Sequence, residues 1–238
     1  MMKSLLASDL LKIRKKGLWF LVFFAPSGLV LMNALNFGLR LDYLQDQYGK
    51  SGMWSGLLTA FSMFIPLAIM LGATILSTMM ASIEYQHGSW KQLLALPVSR
   101  RSIFLSKWLL VTGLLLISCV LLLFGIVILG AILGFEGSIP WMDLARVCFL
   151  PLAASLPVIA LLATLTMTHE NQAISVTLGV TLSIAGLFGP QFPDSVPISW
   201  PMFSVLAPNG LPFAVKGIIL GILCLLLGML YFQRKEVA

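Results

Sequence analysis

Six stretches of this chain, at about 17–37, 57–82, 108–135, 147–168, 172–192 and 213–232, run apolar with almost no interruption. A helix needs roughly 20 predominantly apolar residues to cross the hydrocarbon core of a bilayer, and every stretch reaches that length. None contains an acidic residue, and the one basic residue inside them, Lys216, lies close enough to an end to snorkel. Continuous runs suit helices, which bond their own backbone, rather than the alternating strands of an outer-membrane barrel. Pro26, Pro66, Pro151 and Pro157 fall inside the runs, where neighbouring helices can satisfy the carbonyls they free. Only 10% of residues are charged against 59% hydrophobic, with a mean hydropathy of +0.98. A water-soluble globule carries about 25% charged residues. The chain is therefore predicted to be an all-α, polytopic membrane protein, a single transmembrane domain over 1–238 with six transmembrane helices.

With six crossings, the N-terminal tail, the loop at 84–107 and the C-terminal tail share one side, which holds eleven of the fifteen Lys and Arg residues. Arg40, Lys50, Arg146 and Lys216 fall on the other side. The positive-inside rule then places the N- and C-termini in the cytoplasm. Trp19, Trp54, Trp90, Trp108, Trp141 and Trp200 all stand at span ends or in loops, as an aromatic belt requires. The net charge of +6 is thus a signal of topology, and no basic stripe on a soluble module points to nucleic acid. The opening "MMKSLLASDLLKIRKK" lacks a small-residue cleavage site after its basic cluster, so it is not read as a signal peptide. Residues 1–16 form either a short interfacial helix, with Leu6, Leu10 and Ile13 at helical spacing, or a plain charged tail.

Catalysis finds no support in the residues. Cys119, Cys148 and Cys224 lie one to a span, which indicates neither a disulfide framework nor a metal cluster. The two histidines, His87 and His169, have no metal-ligand partner at helical spacing. His169 and Glu170 are adjacent, and adjacent residues on a helix do not face one another. Ser62, Thr74, Ser118, Thr164 and Thr177 have no base nearby in sequence. Transport remains, but the spans offer no midplane Asp, Glu, His or Arg to couple to an ion gradient. No G-x-x-x-x-G-K-[ST] phosphate loop is present either. A transporter of this kind must take its energy from a separate subunit gripped on the cytoplasmic side.

The 84–107 loop, "EYQHGSWKQLLALPVSRRSIFLSK", offers a handle. Ser89 and Gln92 form a capping-box pattern, Trp90, Leu93 and Leu94 share a face, and Pro97 stops the helix, which predicts an amphipathic helix at about 89–96. Such a helix either lays its apolar face in a groove on a partner or lies on the lipid headgroups. The run from Glu84 through Gly88, Lys91, Pro97 and Arg100, followed by Ser106 and Lys107, resembles the first cytoplasmic loop of ABC-2-type transporter permeases. The lantibiotic-immunity and bacitracin-export permeases are the most similar subgroup, on the Gly-Ser-Trp-Lys core.

That resemblance implies a permease of an ATP-binding-cassette exporter in a bacterial plasma membrane, not itself an enzyme. It implies a second permease, either a copy or a related six-span chain, and two ATPase subunits that bind ATP and Mg. Among the ATPase-coupling residues so implied, Glu84 and Lys91 belong to the motif, Gly88 permits a bend and Ser89 caps the helix. Trp90, Leu93 and Leu94 form the docking face ahead of Pro97, and Arg100 and Arg101 meet acidic or lipid groups. The "THENQ" turn, with His169, Glu170 and Asn171, is either a second cytoplasmic contact or an ordinary hairpin turn. Six prolines at 190–212 depart from the family's long re-entrant hairpin and predict an irregular cap. Asn33 and Asn36, with Thr74, Ser77 and Thr78, either line a substrate path between two permeases or bond helix to helix. Apolar walls suit an amphipathic cargo such as a membrane-active peptide antibiotic. The alternatives are export of a lipid or small cation, or a scaffold or sensor that transports nothing.

Overall fold

A computed structural model of the chain describes residues 2–13, 17–49, 52–86 and 99–234. Among them the regular structure is helical, with no strand. In chain order the helices are α1 (Met2–Ile13), α2 (Leu18–Leu39), α3 (Leu41–Tyr48), α4 (Met53–Ser62), α5 (Ile65–Gln86), α6 (Arg100–Ile132), α7 (Trp141–Ala154), α8 (Leu156–Thr168), α9 (Gln172–Leu187), α10 (Trp200–Leu206) and α11 (Leu211–Arg234).

Four segments are long and apolar enough to span a bilayer: Leu18–Leu39, Met53–Tyr85, Arg100–Ile132 and Leu211–Arg234. The pair α7 and α8, bent by 43°, makes a fifth candidate, and α9 is apolar but only 16 residues long. The first expected run thus lies within α2, and the run at 57–82 is carried by α4 and α5. The run at 108–135 lies in a helix that starts well ahead of it, at Arg100. At 1.5 Å per residue α6 is about 50 Å long, so its first turns project beyond a hydrocarbon layer of about 30 Å. The Ser99 hydroxyl accepts the backbone N–H of Ser102 at 3.2 Å and caps that start.

The bend between α7 and α8 has an identifiable cause. Pro157 brings no N–H to the carbonyl of Ala153, and the Ser155 hydroxyl donates to the Pro151 carbonyl at 2.7 Å. Against this exposed backbone lies α11, through a stripe of buried glycines. Gly217 faces Ala153 and Ala154, Gly221 faces Leu156 and Pro157, and Gly228 faces Thr164 and Phe104. Glycines let helix backbones approach where lipid supplies no hydrophobic drive to pair them. Gly179 of α9 meets Thr74 of α5 in the same manner. On the other flank α2 packs chiefly on α6, and its outer face, with Phe20, Phe24, Leu31 and Leu35, is exposed apolar surface for the bilayer to cover. The region expected as an irregular cap consists of two 3-10 turns, Gly189–Gln191 and Pro197–Ser199, followed by α10.

Backbone-on-backbone packing leaves no slack at the glycine stripe. A Cβ at Gly221 would press on Leu156 and Pro157, whereas one at Gly113 in α6 meets nothing within 4 Å. Gly221→Ala should cost about 1–3 kcal/mol through overpacking, while Gly113→Ala should be neutral or gain up to about 1 kcal/mol from helix propensity. The measurement is the temperature of aggregation in detergent, with the two variants moving in opposite directions or Gly113→Ala not at all.

Candidate functional site

The ends of α5 and α6 flank residues 87–98, and both ends carry a buried charge. Glu84 stands in the last turn of α5, and Lys107 stands two turns into α6. Their side chains are 1% and 5% exposed, and the ammonium lies 2.6 Å from Glu84 Oε1. The same ammonium lies 2.6 Å from Oδ1 of Asp9 on α1, whose side chain is 6% exposed. Ser106 Oγ donates to Asp9 Oδ2 at 2.7 Å. Lys12, one turn after Asp9 on the same face of α1, donates to Glu84 Oε1 at 3.0 Å and to Oε2 at 3.1 Å. All four carboxylate oxygens therefore have a donor, and two ammonium groups balance two carboxylates.

Such closure is what burial of charge demands. A desolvated ion loses several kcal/mol of hydration, which only close partners and satisfied lone pairs offset. The cluster also sets which face of α1 turns inward. Asp9 and Ile13 are buried, and Leu10 and Leu11 point outward. Of the three apolar positions expected to share one face, only Ile13 is buried within the protein, because charge pairing orients this helix more strongly than its leucines do.

Two further bonds gather other helix ends around this neck. The Tyr85 hydroxyl donates to the Met167 carbonyl at the end of α8, 3.1 Å away. Arg100 Nη1 donates to the Gln233 carbonyl at 3.3 Å, at the C-terminus of α11 where a cation is favoured. Arg101 beside it is exposed. The turn after α8 is closed by its own side chains. Asn171 Oδ1 accepts the Ala173 N–H at 3.0 Å, capping α9, and Gln172 Nε2 donates to the carbonyls of Thr166 and His169. His169 Nδ1 lies 3.2 Å from the Leu165 carbonyl, and Glu170 is exposed. The turn with His169, Glu170 and Asn171 thus lies at the same end of the bundle as Glu84 and Arg100. Gly88, Ser89, Trp90, Lys91, Leu93, Leu94 and Pro97, with the whole helix expected at 89–96, lie outside the described residues.

The polar residues of the spans are engaged mostly within their own helices. Asn33 is buried and donates to the Leu29 carbonyl at 3.1 Å, while Asn36 is exposed. Thr74 donates to the Met70 carbonyl and Thr78 to that of Thr74. Ser77 is buried without a hydrogen-bond partner. A small apolar cavity of about 40 Å³ lies between α2, α5 and α6, walled by Pro26, Leu29, Ile69, Leu115 and Leu122, and none of these five polar residues lines it.

Asp9 and Lys12 are the site residues that sequence reasoning missed, and Ser106 and Lys107 appeared in the motif without a role. One signal pointed to Asp9: it is the only acidic residue before Asp42, set among Lys3, Lys12, Arg14, Lys15 and Lys16. Its partner, nearly a hundred residues away, leaves no local trace.

An all-helical bundle with four to five candidate spans, whose buried charges among the described residues lie at one end, is a multi-pass membrane protein. Residues 5–186 match the family model described as ABC-2 family transporter protein. The chain belongs to the ABC-2 transporter family, a transmembrane component of transporters that work with an ATP-binding subunit. No curated protein matches the chain.

The burial of Lys107 against the exposure of Lys12 separates their contributions. Lys107→Met leaves buried Asp9 without a cation and Glu84 with Lys12 alone, and should lower stability by about 3–5 kcal/mol. Lys12, whose side chain is 35% exposed, is screened by solvent, so Lys12→Met should cost at most about 1 kcal/mol. Thermal unfolding of the two purified variants in one detergent checks the ranking.

Proposed function

We propose that this chain is the permease subunit of an ATP-binding-cassette exporter, with six spans and both termini in the cytoplasm. Family membership carries the reading, and the gathering of helix ends at the neck supports the count. Asp9–Lys107, Tyr85–Met167 and Arg100–Gln233 hold α1, the two arms of the loop, the α8–α9 turn and the end of α11 at one end of the bundle. Each of these segments is separated from the next by an even number of crossings if α4 and α5 count as one span, α7 and α8 as one, and α9 as the fifth. The excess of Lys and Arg on the same side favours the cytoplasm for it.

In this reading the 89–96 segment docks on the ATPase subunit, which binds ATP and Mg, and the α8–α9 turn makes a second, smaller contact. Two permeases, identical or related, stand over two ATPases. The cargo is hydrophobic or amphipathic, and the resemblance of the Gly88-Ser89-Trp90-Lys91 core to lantibiotic-immunity and bacitracin-export permeases favours a membrane-active peptide antibiotic, expelled for immunity or resistance.

Orientation is tested by single cysteines in a background lacking Cys119, Cys148 and Cys224. Cysteines at Gly137 and Ser195 should react with an impermeant thiol reagent applied to intact cells, and one at Ser99 should not. Labelling at Ser99 from outside would reverse the whole assignment.

Docking is tested by Leu94→Asp. Burying a leucine is worth about 1.5–3 kcal/mol, and an unpaired carboxylate in its place costs more. Association with the ATPase should therefore fall by at least about tenfold, since 1.4 kcal/mol is one decade. Gln92→Glu, on the opposite face and still able to serve the capping box, should co-purify with the ATPase nearly as well as the unaltered chain. Equal co-purification of Leu94→Asp would move the docking role to the α8–α9 turn.

A further inference from the structure

We infer that Lys107 is a positioning residue for energy coupling: its ammonium ties α1 and both arms of the ATPase-facing loop into one unit, so that movement at the loop reaches the spans. This rests on the exporter reading above. The tie is unusual in its economy. One side chain on α6 reaches a carboxylate on α5 and another on α1, each at 2.6 Å. Glu84 and Lys107 stand near the two helix ends that residues 87–98 join in sequence, so a displacement passed to either end meets this pair.

On the bundle side the cluster borders a void of only about 10 Å³, lined by Ser77, Glu84, Lys107, Val111 and Thr166 among others. Ser77, buried in that lining, has no partner for its hydroxyl. Two of the three ammonium hydrogens are directed to Asp9 and Glu84. The carboxylates therefore fix the register of α1 against α5 and α6.

Stability does not explain the cluster. Buried ion networks can be replaced by apolar side chains of similar volume at little or no loss of stability, whereas removing a single member is costly. What the apolar replacement lacks is direction, because dispersion contacts tolerate sliding and a hydrogen-bonded ion pair does not. From Lys107 onward α6 continues as one unbroken helix to Ile132, with no proline inside it. A rotation imposed at the neck is therefore carried to the far end, and without the tie α1 and α5 would not turn with it.

The test uses the full permease co-purified with its ATPase, in lipid nanodiscs, and needs no cargo. Spin labels at Glu136→Cys and Asn209→Cys, both exposed and beyond the far ends of α6 and α11, report a distance with and without trapping by vanadate and Mg-ATP. The unaltered neck should give a shift on trapping. The neutral triple variant Asp9→Asn, Glu84→Gln, Lys107→Met, which leaves no buried charge, should assemble with the ATPase and lose the shift. Ser106→Ala removes only the hydroxyl bond to Asp9 and keeps every charge. It should reduce the ratio of shifted to unshifted molecules about tenfold, the factor for one hydrogen bond to a charged group. If the triple variant shifts like the unaltered chain, the cluster is only structural and the inference fails. Should the triple variant not assemble, a normal shift in Ser106→Ala has the same force. An unaltered complex that binds ATPase but never shifts also overturns it, while absence of ATPase binding by the unaltered chain refutes the exporter reading instead.

Discussion

Backbone amides and carbonyls cannot be left unpaired in hydrocarbon, and this one constraint orders the rest of the molecule. It makes the spans helices, and the cost of a charge in lipid strips those helices of ionisable side chains. The charges that remain must collect where the bilayer ends. In this chain they collect unevenly. The far end holds exposed groups, such as the solvent-facing pair Asp143 and Arg146 at 3.5 Å, whereas the loop end buries Asp9, Glu84 and Lys107 in a set closed by the half-buried Lys12. Burial makes that set sensitive to geometry, because a mispositioned partner leaves a desolvated charge rather than a hydrated one.

The same lack of water removes the hydrophobic effect as a reason for spans to associate, so contact must come from shape. Gly217 and Gly221 of α11 answer the bend at Ser155, Gly228 answers Thr164 and Phe104, and Gly179 of α9 answers Thr74. Each glycine stands where a helix backbone would otherwise be held away. These contacts join the second half of the bundle to α5, while α2 rests on α6 and leaves an aromatic face outward. The two halves therefore meet along α5 and α6, the helices whose ends carry Glu84 and Lys107.

Much of this was legible in the sequence, for reasons that can be stated. Apolar runs of about 20 residues report a local requirement, so α2, α5, α6 and α11 were visible as spans, as were the prolines that interrupt α7 and α8. The beginning of α6 was less visible. Polarity suggested a loop up to residue 107, yet helix formation stops at breakers and caps rather than at charges, and the relevant signals were Pro97 and the Ser99 cap. Glu84 and Arg100 were singled out through a motif, but their bonds run to α1 and α11, which no local spacing encodes. Asp9 illustrates the limit most clearly. The spacing of Leu6, Leu10 and Ile13 suggested one apolar face for α1, yet long-range charge pairing turns Asp9 inward together with Ile13 and leaves Leu10 outward.

The outward position of Leu10 and Leu11 bears on how α1 relates to the membrane and to a partner. With Asp9, Lys12 and Ile13 committed to the bundle, Leu10 and Leu11 are left outward on a helix whose sequel is strongly basic, Arg14-Lys15-Lys16. Two exposed leucines followed by three cations match a surface that is apolar beside anionic, which lipid headgroups supply. The inner face is held by short, buried ion pairs that salt barely screens; were the outer face to rest on such a lipid surface, the long-range attraction holding it would weaken with salt. Raising ionic strength should therefore loosen α1 from the lipid surface while leaving it fastened to Lys107, so that the neck keeps its register when the membrane contact is lost.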